Sequence, residues 1–250
     1  MKHQIGEKEL RVAVMVSGGG SNLDAIFQAI AKKKLTNVQI VCVGSDNPGA
    51  YALTRAENAK IPTFILDYKE ALKIIRNGGE PPEGFKIPAS VVDQESAQKL
   101  AAKALAEAKL LEIMQKYKVD LLVLAGFMKI LTPYFLNHFQ PDPFKPRILN
   151  IHPALLPAFP GTDGYKDAWD YGVKVYGPTV HFVDKGVDTC AIIGQVALCR
   201  KESDTFEEFK DRGLRAEWEL YPKCIRLFAD GRLIVESGED GKRNLVRISP

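Results

Sequence analysis

The chain has no apolar run near the roughly 18 residues that a membrane-spanning helix needs. Its first ten residues, MKHQIGEKEL, lack the apolar core of a secretory leader, so none is expected. Cysteine is scarce. The four, Cys42, Cys190, Cys199 and Cys224, are scattered and none stands in a C-x-x-C pair. That spacing suggests neither a zinc site nor a disulfide framework, and no metal is expected. Three of them lie in apolar runs, where a thiol behaves as a small hydrophobe, so a reducing, cytoplasmic home is expected. Charge of one sign is lacking too. The net charge is only +3, whereas a dedicated nucleic-acid binder needs a clustered basic face. Neither nucleic acid nor membrane is expected as a partner. A site for a small anion fits the balance equally well.

What is present is a globular composition: 250 residues, 46% hydrophobic and 26% charged. That length suffices for one large domain or two small ones with a buried core. The run RVAVMVSGGG reads as a buried strand stopping at a tight turn. Leu23, Ile26, Phe27 and Ile30 fall at helical spacing over 22–33, with Ser21 or Asn22 as the expected cap. VQIVCVGSDN reads as a second strand, 51–59 as a helix and IPTFIL as a third strand. This alternation predicts a parallel sheet covered on both faces. The stretch 76–94, with NGGEPPEGFKIP, reads as a surface loop, and the Ala-, Leu-, Glu- and Lys-rich stretch after it as a long helix. VDLLVLAGF and RILNIHP read as further strands, and VYGPTVHFVD and IIGQVALC as an antiparallel section. A helix capped by Asp204 or Thr205 and a final hairpin follow. The fold expected is therefore α/β, a doubly wound, mostly parallel sheet with a mixed C-terminal extension.

Three constellations carry chemistry. In SGGGSNLDAI, a strand, a glycine turn and a helix start aim backbone N–H groups at one place, which suits a phosphate. The dinucleotide fingerprint would need a glycine where Leu23 stands, and the Walker lysine is missing. A generic phosphate site is favoured over a dinucleotide site or a plain turn. In ILNIHPALLP, Asn150 and His152 stand two apart, hence on one face of a strand, at its C-terminal end. Ligands of open parallel sheets bind beyond such ends. An amide beside an imidazole can polarise a carbonyl and move protons; a satisfied strand-end histidine fits the local sequence as well. In VHFVDKGVDT, Asp184 and Asp188 flank a turn at Gly186. A carboxylate there could raise an imidazole pKa, although solvated turn aspartates are the commoner reading. His181 reads as buried in its strand, and His138 as helix surface or packing.

Taken together, VMVSGGGSNLDAI, DLLVLAGFMKILTPYFL, ILNIHPALLPAFPG, GPTVHFVDKGVDT with IIGQ, and LYPKCIRLFADGRL resemble the folate-dependent phosphoribosylglycinamide formyltransferases, in order from Val12 to Leu233. The resemblance implies a Rossmann-like formyltransferase domain over 1–250. Its ribonucleotide-binding half would span about 11–125 and its catalytic and folate-binding half about 126–235. It implies 10-formyltetrahydrofolate as cosubstrate and glycinamide ribonucleotide as acceptor. Asn150, His152 and Asp188 match the catalytic set. Gly20, Ser21 and Asn22 match the phosphate cradle, and Glu217 an acidic ribonucleotide contact. Met128, Lys129, Ile130 and Leu131 match the pteridine pocket, and the turn from Asp184 to Asp188 the folate loop. After Asp188 this chain has Thr189, Cys190 and Ala191 where the family has small residues and a proline. The family's basic folate contact has no counterpart across the proline-rich insertion.

The reaction implied is formyl transfer to the glycinamide amine in purine synthesis, without a metal. Asn150 would bond the formyl oxygen, and Asp188 would keep His152 charged and oriented. The nearest alternative, a formyltetrahydrofolate hydrolase, shares the Asn–His–Asp set but has no use for the glycine-loop phosphate site. It would also carry a regulatory domain ahead of a first strand that here starts near Arg11. A transfer-RNA formyltransferase would need a further C-terminal domain, for which the chain is too short. A non-catalytic nucleotide-binding module would have no use for Asn150, His152 and Asp188 together. A homodimer is compatible with the sequence.

Overall fold

The computed structural model describes residues 9–184, 191–238 and 243–250. Strands and helices alternate through the first half: β1 (Leu10–Val16), α1 (Ser21–Ala31), β2 (Val38–Ser45), α2 (Tyr51–Asn58), β3 (Thr63–Ile65), α3 (Tyr68–Arg76), α4 (Gln94–Lys116), β4 (Leu121–Leu124), α5 (Pro133–Phe139) and β5 (Ile148–His152). The second half is mixed: α6 (Gly164–Tyr171), β6 (Val175–Tyr176), β7 (Thr179–Phe182), β8 (Ile192–Gln195), β9 (Leu198–Cys199), α7 (Phe206–Ala229), β10 (Leu233–Glu236) and β11 (Leu245–Ile248). A seven-stranded sheet of order β3-β2-β1-β4-β5-β7-β8 forms the centre. From β3 to β5 the neighbours are parallel; β7 then pairs antiparallel with both β5 and β8. The pairs β6–β9 and β10–β11 are separate antiparallel ribbons. The expected doubly wound sheet with a mixed extension is what the chain forms, final hairpin included.

The alternation of side chains along β1 explains the two-sided core. Val12, Val14 and Val16 face one way, into a cluster with Leu23 and Ile26 of α1, Ala52 and Ala56 of α2, and Leu220, Tyr221 and Ile225 of α7. Ala13 and Met15 face the other way, against Ala71 and Ile75 of α3, Leu110 and Met114 of α4, and Phe135 of α5. A strand apolar on both faces has to be central. The sheet order reverses at β1, which lies between β2 and β4. A crevice therefore opens beyond the C-terminal ends of β1 and β4, the place where open α/β sheets bind ligands. Both strands end there in glycine-containing loops, 17–20 and 125–128.

One local reading changes, and two stretches to which the sequence reading assigned no element are helices. The cap of α1 is Gly20, at φ 72°, with no side-chain capping bond, and Ser21 and Asn22 are already inside the helix. A left-handed turn at that point needs a residue without Cβ, and a Cβ would also lie 2.5 Å from that of Ala52. The stretch 68–76 is a helix. Asp67 accepts from Lys69 N–H and Glu70 N–H, and Ala71 and Ile75, four apart, are buried. The stretch 164–171 is also a helix, burying Tyr165 and Ala168. By contrast, α7 starts as expected. Thr205 and Glu208 form a reciprocal capping box.

Candidate active site

One cavity of about 530 Å3 occupies the crevice. The glycine loop forms one wall. Its carbonyls are held from below: Ala52 N–H donates to Gly18 O at 3.1 Å and the Arg55 Nε–H to Gly19 O at 3.0 Å. The N–H groups of the first turn of α1, which a helix leaves without intrahelical partners, stand beside the cavity with Gly18, Gly19, Gly20, Ser21 and Asn22 in its lining. Glu217, on α7, closes this end. It is 4% exposed and accepts from Asn22 Nδ2 at 2.7 Å and from the Tyr165 hydroxyl at 2.7 Å. Burial raises its carboxyl above the usual range, and the two donated hydrogen bonds oppose that shift.

Asn150 and His152 sit at the C-terminal end of β5 and line the cavity. Asn150 lies opposite His181 in the β5–β7 ladder, with Asn150 Nδ2 3.3 Å from His181 Nε2. His181 Nδ1 lies 2.7 Å from Phe182 O, an acceptor only, so that nitrogen carries the proton in the neutral ring. Its Nε2 is then the acceptor, and the Asn150 amide presents its NH2 side to it. One N–H of that group is used on His181; the amide carries a second. His152, 2% exposed, donates from Nε2 to Phe159 O at 2.7 Å. The segment after β5 is pinned by Thr179, whose hydroxyl donates to Ala154 O and accepts from Leu156 N–H, and by Gln195, which donates to Leu156 O.

A further wall is the loop between β4 and α5. Met128 and Ile130 are exposed large apolar side chains, 55% and 60% accessible, and Leu131 is buried; all line the cavity. The loop is fastened from three sides. Ser17 accepts from Met128 N–H at 2.9 Å while donating to Asp46 at 2.6 Å. Lys129 pairs with Asp46 at 3.5 Å. Glu107 of α4, fully buried, accepts from Thr132 N–H with both carboxylate oxygens and from the Thr132 hydroxyl. Desolvation raises the Glu107 pKa to about 7.

The cavity thus collects Gly20, Ser21, Asn22, Glu217, Met128, Lys129, Ile130, Leu131, Asn150, His152 and Asp184 in one lining. Asp188 and the rest of residues 185–190, Cys190 among them, lie outside the described residues. A family model described as formyl transferase matches residues 10–225.

The chain belongs to the formyl transferase family.

The chain is 34% identical over 223 residues to the phosphoribosylglycinamide formyltransferase of Haemophilus influenzae, an alignment covering 89% of each chain. It is 36% identical over 239 residues to the trifunctional purine biosynthetic protein adenosine-3 of Gallus gallus, covering 96% of this chain but 20% of that relative's length. Among solved structures, glycinamide ribonucleotide transformylase 1 from Symbiobacterium toebii matches with a TM-score of 0.74 and 36% identity, over 97% of this chain and 95% of that one.

Several residues of this formyl transferase enter the site that sequence reasoning did not place there. His181, expected only to be buried, orients Asn150; the signal was its register opposite Asn150, which a single sequence does not show. Tyr165, Lys166 and Lys210 line the cavity from helices α6 and α7. Ser17, Asp46 and Glu107 act from behind the walls. His138 is exposed, bonded to Tyr134 O, and does not line the cavity. Cys42 and Cys224 are buried, as their apolar runs suggest, but Cys199 is exposed. Among the described residues no group of His, Cys, Asp and Glu could hold a metal ion, and no helix is long and apolar enough to cross a membrane.

Proposed function

We propose that this formyl transferase moves the formyl group of 10-formyltetrahydrofolate to the amine of 5-phosphoribosylglycinamide, a step of purine synthesis. The observation that carries the reading is the composition of one cavity. Helix-start N–H groups, an amide with an imidazole, and exposed apolar side chains share one lining. A phosphate fits the helix start, a flat heteroaromatic ring fits the apolar side chains, and the acyl carbon fits beside the amide and imidazole. The glycine-loop end gives the acceptor a place that a hydrolase, whose acceptor is water, would not need. The folate supplies an activated formyl carbon.

The roles of the side chains follow from their partners. The second N–H of Asn150 is the donor for the formyl oxygen as that oxygen gains negative charge. His152, anchored through Nε2 to Phe159 O, stabilises the same charge and handles the proton. In the transfer, the acceptor nitrogen forms its bond to the formyl carbon and loses a proton; the folate nitrogen loses that carbon and gains one. Asp188 keeps His152 charged and oriented, and Asp184 borders the folate. Met128, Ile130 and Leu131 supply apolar contact to the ring, and Lys129, tied to Asp46, fixes the loop. Gly20, Ser21 and Asn22 receive the ribonucleotide beside Glu217. The chain acts as one formyltransferase domain on small molecules, in the cytoplasm. The test is formyl-folate consumption with and without glycinamide ribonucleotide. Turnover that requires the ribonucleotide supports the reading. Formate release at the same rate without it would make the protein a hydrolase.

A further inference from the structure

The Asn22 amide has two ends, and Glu217 uses one. Asn22 Nδ2 donates to Glu217 Oε2, which leaves Asn22 Oδ1 buried with no hydrogen-bond partner among the described residues. Asn22 is 8% exposed and lines the cavity. A buried amide oxygen is an acceptor that is costly to leave bare. A phosphate oxygen has no proton to offer it; a hydroxyl or an N–H does. Which end of the amide faces the cavity is decided by Glu217, and the Glu217 carboxylate is in turn held by the Tyr165 hydroxyl. Tyr165 is itself tightly placed. It is 5% exposed and packs edge-on to Tyr176 with ring centroids 6.4 Å apart. It lies flush against α7 because position 213 is glycine: a Cβ there would meet the Tyr165 ring at 2.4 Å and its hydroxyl oxygen at 2.7 Å.

We propose that Tyr165 is a positioning residue for acceptor recognition. Through Glu217 it turns the Asn22 amide so that Oδ1 receives a hydroxyl or N–H from the sugar-amide part of the acceptor, while the backbone N–H groups of the glycine loop take the phosphate. The proposal rests on the ribonucleotide reading above. It divides that end of the cavity into an anion subsite made of main chain and a donor-reading subsite made of the Tyr165–Glu217–Asn22 relay.

The experiment is steady-state kinetics of the full chain carrying Tyr165→Phe, which keeps the ring and deletes only the hydroxyl. The KM for glycinamide ribonucleotide should rise about tenfold, with kcat changed less than about twofold. The KM for formyl folate and the inhibition constant of inorganic phosphate should stay at wild-type values. Gly213→Ala, which displaces the same ring, should give the same pattern. An unchanged ribonucleotide KM in Tyr165→Phe would overturn the proposal. So would an equal weakening of inorganic phosphate, because the relay would then be serving the anion subsite. A parallel loss of kcat, both KM values and thermal stability would reduce Tyr165 to a packing residue, which also overturns it. Failure of the wild-type chain to use the ribonucleotide at all would sink the ribonucleotide reading itself, and is told apart by being seen before any substitution is made.

Discussion

Two asparagines in the cavity work in opposite senses, and their neighbours decide which. Asn150 faces an imidazole nitrogen that can only accept, so it presents N–H; Asn22 faces a carboxylate with its NH2 and turns its oxygen the other way. Replacing Asn150 with Asp removes both N–H groups at nearly constant size. The expected loss is on the order of a hundred- to a thousandfold in kcat, the range for a lost oxyanion donor, with KM values little changed; pre-steady-state formyl transfer measures it. Replacing Asn22 with Asp sets a second carboxylate against Glu217, beside an anion site. Ribonucleotide KM should rise at least about tenfold while folate binding, measured by fluorescence quenching, stays intact. Unaltered ribonucleotide KM would remove Asn22 from the acceptor site. At this scale the sequence was partly legible. The positions of Asn150 and His152 two apart on a strand could be read from spacing, whereas the direction in which each amide points depends on His181 and Glu217, 31 and 195 residues away.

The helix α4 contributes to the site from behind. Its Glu107 holds Thr132, the cap of α5, and so fixes the end of the loop that carries Met128 and Ile130. The carboxyl is buried, and desolvation raises its pKa from 4.5 to about 7 against the Thr132 hydrogen bonds and the charge of Lys103. The sign of the linkage follows. In the folded protein Glu107 keeps its proton to higher pH than in the unfolded chain. Its contribution to stability is therefore full below about pH 4.5 and is lost as pH rises through about 7. The part of the stability that varies in this window is on the order of 3 kcal/mol, at about 1.4 kcal/mol for each tenfold change in proton affinity. Glu107→Gln should lower stability overall, because Gln brings an NH2 against the Thr132 N–H, yet flatten the pH dependence between those limits. Urea unfolding at several pH values checks this; an unchanged slope would mean that Glu107 is ionised throughout. The sequence marked α4 as a helix from its composition but gave no hint that one glutamate faces inward. A buried carboxylate in an Ala- and Leu-rich stretch looks like any surface glutamate until the partner across the core is known.

At the scale of the molecule, residues 11–125 and 126–235 share one sheet. β4 and β5 pair across that division, and α7 packs against β1, β5 and β7 in a single core cluster. Thermal unfolding should therefore be one transition, with near-ultraviolet and far-ultraviolet signals coinciding; two separated midpoints would divide the chain into two domains. The proline-rich stretch between α3 and α4 lies largely at the surface, with Val92 91% exposed, and its main anchor is Phe85 edge-on to Tyr134 at 6.2 Å. Deleting 79–90 while keeping the Asp93 cap should leave a folded, active protein. Loss of folding on that deletion would make the stretch part of the core. The parallel core and the final hairpin were legible because β-branched runs and glycine turns are local signals. The helices α3 and α6 were not: each is short, and each buries its apolar face against another helix, α3 on α4 and α6 on α7, which local sequence does not show.

The Tyr221 hydroxyl lies 2.9 Å from Leu124 O and 3.0 Å from Leu149 O, so one buried proton ties α7 to the end of β4 and to β5 beside it. Glu217 stands four residues earlier on the same helix, about one turn or 6 Å along it. The helix rise is thus a ruler laid between Glu217, at the acceptor end proposed above, and the end of β4 beside the cavity. A ruler of fixed length measures its substrate. An acceptor lengthened by one methylene between ribose and amine would bring its nitrogen to the wrong mark by about 1 Å, and a misplacement of that size costs on the order of a hundredfold in rate. Single-turnover transfer to such a homologue, set beside transfer to the natural acceptor, reads the ruler directly, and equal rates would show that the spacing is not gauged.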